Sequence, residues 1–347
     1  MKKFILILLV VLAACSRERE PLVSIALILN PQGLPATRAG DPDDTRISDY
    51  NLYIFNAFGI LEERVFVPYR SLKTVGGKVQ YNTKLLRDVP YTILATANLG
   101  YELPFRTLEE ARAYRYHMAY PDEFSQGLPM AAFLEEITVG DDSFLEIPLE
   151  RLMARIELSI DRSQLQADVQ FQVTDVRVGA CPSSVQLIGP SKVNGPQETF
   201  NRGYSKTGSE VSALNEGSGA GMSRSVNVYL LENCQGDLLD NVLTDSGKIF
   251  ADGTYQNICS YIELKAEYHS PAHHTRVGDR ILYRFYLGES LNNFDVFRNT
   301  WYRITVCPRG DGLGEDGWRV NKEALTDSRH TFSGNPSNKG CEGRRYP

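Results

Sequence analysis

The feature that most constrains this chain is a series of short segments in which apolar and polar residues alternate. In the clearest segment, from Leu152 to Ile160, aliphatic residues or alanine occupy every second position. Because successive side chains of a strand point to opposite faces, this pattern predicts a strand with one buried face. Similar runs, rich in β-branched and aromatic residues, recur along the chain between Gly, Pro, Asn or Asp. The sequence therefore predicts an all-β protein built from two stacked β-sandwiches.

One segment departs from this pattern and predicts a helix in the first domain. The stretch TLEEARAYRYHMA, from Thr107 to Ala119, begins with a good N-cap residue and has Glu109 and Glu110 in the first turn. Acidic side chains there complement the positive end of the helix dipole. The prediction is a single short helix in an otherwise β-rich chain.

The chain has 347 residues, about twice the length of a common domain. The best boundary lies near Pro148, before the long alternating strand, which predicts an N-terminal sandwich over 21–150 and a C-terminal one over 151–332. The stretch from Gly189 to Arg224 is rich in Gly, Ser and Asn and predicts a long surface loop. Residues 333–347 are expected to form a flexible tail.

The N-terminus has the layout of an export signal. Two lysines precede an apolar run that closes with small residues, and the run is too short to span a bilayer as a helix. Leu12-Ala13-Ala14-Cys15 resembles the lipobox of bacterial lipoproteins, which implies a signal peptide over 1–14, lipid such as palmitate on Cys15, and a tether over 15–20. An ordinary signal peptide followed by an incidental cysteine is the alternative.

The charge balance argues against two kinds of partner. The chain carries 37 basic and 43 acidic residues, and loss of the signal peptide would remove two lysines. A net negative chain is a poor match for nucleic acid or for anionic lipid. Attachment to a membrane is therefore expected through the lipid on Cys15 alone.

Motifs that carry chemistry are weak, and no enzyme, metal site or cofactor is predicted. Gly312 to Gly317 matches GxGxxG, but the residues that follow predict a strand where a dinucleotide site needs a helix. Arg309-Gly310-Asp311 matches the integrin-recognition tripeptide and is interpreted as a turn. The segment HSPAHH, which holds His269, His273 and His274, is interpreted as a hairpin loop. Trp301 and Trp318 could stack on a sugar but are more typical of a core.

Cysteine usage gives little guidance. With Cys15 lipidated, an odd number of cysteines remains, and neither CxxC nor zinc-ligand spacing occurs. Buried free thiols are expected, with one disulfide left open in an oxidising compartment. The cysteines concerned are Cys181, Cys234, Cys259, Cys307 and Cys341.

Several longer stretches resemble the fimbrillin family, pilus lipoproteins of Bacteroides-type anaerobes. They are the N-terminal region from Pro21 to Gly59, the segment from Leu128 to Ile160, and the segments VYLLENCQG, YIELKAEY and YRFYLGESLNNFDVFRNTWYRITV. The last of these, from Tyr283 to Val306, is the most specific. The resemblance implies two transthyretin-like β-sandwich domains in tandem.

The resemblance also implies a mode of assembly. In polymerising subunits a trypsin-like protease cuts after an arginine behind the first strand, which here corresponds to a cut between Arg38 and Ala39. An ordinary solvated loop arginine is the alternative for Arg38. Loss of that strand opens a groove that a strand of the next subunit fills. The corresponding strand here carries Val23, Ile25, Leu27 and Leu29 on one face, and its near-continuous apolar character predicts cover on both faces. A permanent first strand explains the same pattern.

The predicted function is a lipid-anchored fimbrial subunit, anchor or tip component at the outer membrane and cell surface, serving adhesion. Its partners would be other fimbrial subunits, with a host or bacterial surface ligand left open. The alternative is an outer-membrane glycan-binding lipoprotein of a nutrient-uptake system. A row of exposed aromatic side chains on one sandwich face would favour that alternative.

Overall fold

A computed structural model describes residues 22–31, 45–76, 78–122, 124, 126–140, 144–193, 200–201, 203–217, 221–243, 248–250, 255–271, 279–312 and 318–324. Strands dominate this part of the chain, as the sequence predicts. The N-terminal half contains β1 Leu22–Pro31, β2 Tyr50–Phe55, β3 Leu61–Val67, β4 Thr74–Val75, β5 Lys78–Leu86, β6 Pro90–Ala97, α1 Leu108–Ala113, β7 Arg115–His117, β8 Met130–Thr138 and β9 Phe144–Arg151.

Eight of these strands form one sheet that folds over on itself. The strand order is β3-β2-β6-β8-β9-β1-β5-β4. The fold line lies between β8 and β9, which pair only at Met130 with Arg151 and at Ala131 with Glu150. Side chains from both sides of this line meet in one apolar cluster, to which β1, β2, β5, β6, β8 and β9 all contribute. The folded sheet therefore encloses its own core.

The C-terminal half is built from two four-stranded sheets. It contains β10 Met153–Ile160, β11 Gln170–Gly179, β12 Cys181–Pro182, β13 Ser184–Gln186, β14 Phe200–Asn201, β15 Tyr204–Thr207, β16 Val226–Leu231, β17 Tyr261–His269, β18 Asp279–Tyr286, β19 Thr300–Val306 and β20 Trp318–Ala324. One sheet has the order β16-β10-β19-β20 and the other β15-β11-β17-β18. Apolar side chains of both sheets share the largest core of the described residues.

The alternation in β10 predicts one buried face, but the structure buries residues on both faces of this strand. Ala154, Ile156 and Leu158 face the core as expected. Met153 and Arg155, on the opposite face, are buried as well. Met153 packs into a cluster at the junction of the two halves, and the Arg155 guanidinium lies 4.6 Å from the Trp301 ring. The polar-looking face of this strand is therefore covered at Met153 and Arg155, whereas Glu157 and Ser159 remain partly exposed.

The two halves are joined by a shared core and a small sheet. Strand β7 of the first half pairs with β13 of the second, with Tyr116 opposite Val185. Arg115 adds hydrogen bonds to the hydroxyl groups of Ser184 and Ser191. A third apolar cluster contains residues of both halves; those of the second half and its first turn are Leu152, Met153, Val185, Leu187, Tyr229 and Leu231.

The helix is shorter than the sequence predicts. Thr107 is its N-cap and accepts a hydrogen bond from the backbone N–H of Glu110, as expected. The helix ends at Ala113, and the residues after Tyr114 form β7 instead of further helical turns. Pairing with β13 and burial of Tyr116 outweigh local helix propensity here.

The prediction of a long surface loop from Gly189 to Arg224 is wrong in part. Strand β15 and the 3₁₀ helices Gly208–Glu210 and Ser212–Asn215 lie within it. Val211 and Leu214 are buried in the large core. Strand β15 also pairs with β11, and Asn215 bonds to the backbone of Val173, so both pairing and burial attach this stretch to the sheet. None of the helices in the described ranges is long and apolar enough to cross a membrane.

Candidate functional site

The segment predicted to be exchangeable is a central strand of the folded sheet. Strand β1 pairs antiparallel with β5, from Leu22 opposite Leu86 to Leu29 opposite Val79. On its other side β1 pairs parallel with β9, from Ala26 opposite Phe144. Removal of β1 would expose the backbone N–H and C=O groups of two flanking strands at once. The strand order β9-β1-β5 means that β1 fills a groove whose two walls are β5 and β9.

The inner face of β1 matches the predicted set of residues. Ile25, Leu27 and Leu29 are 4%, 0% and 1% exposed and belong to the core of the folded sheet. Val23, nearer the start of the strand, is only partly buried. Full burial of each aliphatic side chain stabilises the fold by about 2 kcal/mol. The inner face therefore holds the strand in place through three side chains.

The outer face differs from the prediction that β1 is covered on both sides. Ser24 is exposed, and Ala26 and Ile28 are only partly buried. The apolar run reflects one buried face plus a partly exposed apolar face. A salt bridge of 2.9 Å between Lys78 of β5 and Glu146 of β9 joins the two strands that flank β1. Since Glu146 is paired with Ile28 in the sheet, this contact passes over the outer face of β1.

A second cross-link holds β5 from the inside. Glu63 of the edge strand β3 accepts hydrogen bonds of 2.5 Å from the hydroxyl groups of Tyr81 and Thr83 on β5. These two residues are paired with Leu27 and Ile25 of β1. Burial, together with the hydrogen bond to Glu63, raises the pKa of Tyr81 to about 12. The hydroxyl therefore stays protonated as a donor at neutral pH.

Glu63 is not among the residues predicted from the sequence to be functional, although the sequence contains a signal for it. Strand β3 reads LEERVFV, and its charged residues suggest a solvated edge. Counting every second position places Glu63 on the same face as Val65, and Glu63 is paired with the buried Ile54 of β2. A carboxylate on the apolar face of a strand indicates a buried partner.

The lipidation and cleavage candidates lie outside the described residues. This holds for Cys15 with the preceding signal segment, and for Arg38 and Ala39. What the structure adds is their position in the chain: β1 ends at Pro31 and β2 begins at Tyr50. The cleavage candidate therefore lies between the exchangeable strand and the rest of the sheet.

The Arg-Gly-Asp tripeptide and the GxGxxG match both lie in turns or next to strands, as far as the structure describes them. Arg309-Gly310-Asp311 lies in a turn closed by a bond from the Gly312 N–H to the Arg309 carbonyl, and Gly310 has φ +58°. The hydroxyl groups of Tyr268 on β17 and Tyr283 on β18 donate hydrogen bonds to the backbone carbonyls of Asp311 and Gly312 in this turn. Beyond the glycines, β20 pairs with β19, so a strand follows the GxGxxG match, as predicted. Gly314 and Gly317 lie outside the described residues.

The histidine segment joins two paired strands, β17 and β18, as a hairpin connection should. His269 is the last residue of β17, and His273 and His274 lie outside the described residues. Among the side chains that the structure places, no group of three His, Cys, Asp or Glu could hold a metal ion.

The tryptophan that could have formed a sugar platform is buried. The guanidinium carbons of Arg155 and Arg303 lie 4.6 and 3.9 Å from the centroid of the Trp301 ring. Nothing is described of the Trp318 side chain. Other exposed aromatic rings sit on separate turns or strand ends, such as Phe58, Tyr69 and Phe144.

The cysteines divide into two groups. Cys181, Cys234 and Cys259 carry free thiols, and burial raises the pKa of each to about 12, so they are protonated at neutral pH. Cys307 is disulfide-bonded, which is the alternative that the sequence left open. Cys341 lies outside the described residues.

The most specific of the family-like stretches contains a clamp within the C-terminal half, at Arg298, and one contact with β9 of the N-terminal half, at Asn299. Arg298 donates hydrogen bonds to Glu232 at 2.6 and 2.8 Å and to the carbonyls of Gln186 and Gly189. Asn299 adopts a positive φ of 51°, and its side-chain oxygen accepts a hydrogen bond from the Arg151 guanidinium. The motif is a structural clamp between β9, the loop after β13, and β19.

A cleft of about 360 Å³ opens beside this clamp. Its walls come from β8, from the region of Pro148, and from the loop Leu187 to Pro190. Phe133 is the aromatic residue that lines it, and the Arg112 guanidinium lies 4.8 Å from that ring. Of the charged residues that line it, Glu150, Glu232 and Arg298, the last two form a salt bridge with each other. This cleft lacks the features of a sugar-stacking site.

Comparison with known proteins relates the fold to one class. A family model described as a domain of unknown function (DUF4906) matches residues 228–306, less than a quarter of the chain. No curated protein matches the sequence. Solved structures of fimbrial and cell-adhesion proteins match nearly the whole chain at low identity, which defines the shared fold.

Three of these structures show the extent of the match. A candidate cell adhesion protein of Parabacteroides distasonis has 12% identity and a TM-score of 0.55, covering 89% of this chain and 98% of its own. The tip fimbrial protein Mfa3 of Porphyromonas gingivalis has 11% identity and a TM-score of 0.54, covering 88% and 100%. The fimbrilin FimA of the same species has 12% identity and a TM-score of 0.50, covering 86% and 96%. The expected resemblance to the fimbrillin fold is confirmed.

Proposed function

We propose that this protein is a lipid-anchored fimbrial subunit, anchor or tip component of the cell surface, which assembles by strand addition and serves adhesion. The observation that carries this proposal is the position of β1 between β5 and β9. A strand that fills a two-walled groove, and is joined to the sheet by a segment with a cleavage candidate, has the geometry that strand exchange requires. Two domains are proposed, 21–150 and 151–332, with the tail 333–347.

The distribution of aromatic residues supports this function over a glycan-binding one. Trp301 is buried beneath arginines, and the exposed rings of the described part are scattered over separate elements. Glycan recognition by stacking needs several rings on one face. A structural and adhesive role, without catalysis, fits the arrangement better.

Membrane attachment is proposed through lipid on Cys15. Cys15→Ser should abolish incorporation of labelled fatty acid and release the protein from the outer-membrane fraction, because the acyl chains supply the membrane affinity. Cys234→Ser, which changes a free thiol elsewhere in the chain, is the matched control and should label like the wild type. Membrane retention of Cys15→Ser, with no label on the wild type, would refute lipid anchoring.

The N-terminus of the protein on cells distinguishes the proposed roles. Cleavage after Arg38 would separate the lipid from the body, so a free N-terminus at Ala39 is expected of a polymerising subunit. A blocked, lipidated Cys15 is expected of an anchor. N-terminal sequencing and mass spectrometry of purified fimbriae and outer membranes make the measurement. An N-terminus at neither position would contradict both roles.

A further inference from the structure

Strand β5, one wall of the groove that β1 fills, is itself held mainly by its pairing with β1. Strand β5 forms eight residue pairs with β1, from Leu22 opposite Leu86 to Leu29 opposite Val79. Its other strand neighbour, β4, contributes only the pairs at Val79 and Lys78. When β1 leaves, β5 loses most of its backbone pairing. Without another attachment, this wall would be free to collapse onto the exposed core.

Glu63 supplies an attachment that does not involve β1. Its two carboxylate oxygens accept one hydrogen bond each, from Tyr81 and Thr83, in the middle of β5. Strand β3, which carries Glu63, is held by β2 and lies at the opposite end of the sheet order. Hydrogen bonds to a carboxylate are about twice as strong as neutral ones. Glu63 therefore fixes β5 across the open side of the folded sheet.

We propose that Glu63 is a positioning residue that keeps β5 in place after β1 has left, so that the empty groove remains a ready receptor. This inference rests on the proposed strand exchange. The occupant it fits is an extended segment of another fimbrial subunit that runs in the direction of β1. That segment needs aliphatic side chains at the positions of Ile25, Leu27 and Leu29.

The outer face of the groove further restricts which side chains the donor segment can carry. At the position of Ile28 the incoming side chain would lie beneath the contact between Lys78 and Glu146. A charged side chain there would compete with one of the two partners. The preferred donor is therefore uncharged at that position, as β1 is.

The test measures strand binding to an emptied groove. A specific protease site replaces residues 36–41 in the full chain; after cutting, the N-terminal piece is removed in mild denaturant. The probe is a fluorescent peptide with the sequence of residues 22–31 and added terminal lysines. Its affinity is measured for the wild type, Glu63→Ala, Glu63→Gln and the control Glu62→Ala, which alters an exposed neighbour on the other face of β3.

Glu63→Ala is expected to weaken peptide binding by about tenfold or more, on the scale of two lost charge-assisted hydrogen bonds. Glu63→Gln, which keeps one acceptor oxygen, should recover part of the affinity, and Glu62→Ala should bind like the wild type. Hydrogen exchange of residues 78–86 in the emptied Glu63→Ala protein should be faster than in the emptied wild type.

The outcomes separate the two proposals. Wild-type binding with equal binding by Glu63→Ala, and equal protection of β5, would overturn the role of Glu63 and leave strand exchange intact. Failure of the emptied wild type to bind the peptide would overturn strand exchange itself. If Glu63→Ala does not fold as an intact chain, Tyr81→Phe removes one hydroxyl donor with a smaller perturbation and must show the same direction of effect.

Discussion

Leu27→Asp should destabilise the uncut protein by about 4 kcal/mol or more. Leu27 is fully buried on the inner face of β1, opposite Tyr81 of β5 and Leu145 of β9. The substitution removes apolar burial and places an unpaired carboxylate in the core. Urea unfolding of the purified chain in a Cys15→Ser background gives the measurement. The control is Ser24→Asp on the exposed face, opposite Lys84, which should leave stability nearly unchanged.

The same variant also separates a permanent strand from an exchangeable one. Once β1 has been cut away and removed, Leu27→Asp and wild-type bodies are chemically identical. They should therefore bind a donor strand with equal affinity. A body that binds donor only when derived from the wild type would mean that residual β1 contributes to binding, which contradicts exchange.

Arg298→Ala should cost about 3–5 kcal/mol of stability, because it leaves a buried carboxylate without its cationic partner. The Arg298 and Glu232 side chains are 13% and 3% exposed, and their closest atoms are 2.6 Å apart. After the substitution, Glu232 would keep the backbone N–H groups of Ser191 and residue 298. The loop from Gln186 to Gly189 would also lose the guanidinium that binds its carbonyls.

Thermal unfolding, with hydrogen exchange in the loop after β13, measures this effect. Arg224→Ala is the control, because its pairing with Glu216 is exposed to solvent and should contribute little. A small effect of Arg298→Ala, similar to that of Arg224→Ala, would show that Arg298 does not hold the loop after β13 to Glu232.

The class of fold is predictable from the sequence because it depends on a local period. Alternating apolar residues mark β10 and β17, and turn residues separate the strands. The limits of such patterns are equally clear. Arg155 reads as a solvated position, yet the second face of β10 is covered by Trp301, which lies far away in the sequence.

The features that the sequence does not predict depend on contacts between residues that are far apart in the chain. The helix stops at Ala113 because β13, about 70 residues later, pairs with the segment that follows. The apolar run in β1 suggested cover on both faces, whereas its outer face carries a partly exposed Ile28. The cross-link from Glu63 to β5 depends on the folding over of the sheet. No local pattern encodes that closure.

Native mass spectrometry of the protein cut after Arg38 and mixed with a fimbrial subunit of the same bacterium tests the central claim most directly. Strand exchange predicts that the body loses the N-terminal piece that contains β1 and gains the mass of the partner. An uncut control should gain none, because its groove stays filled. A cut body that keeps the piece and binds no subunit would show that β1 is a permanent strand and would contradict the account.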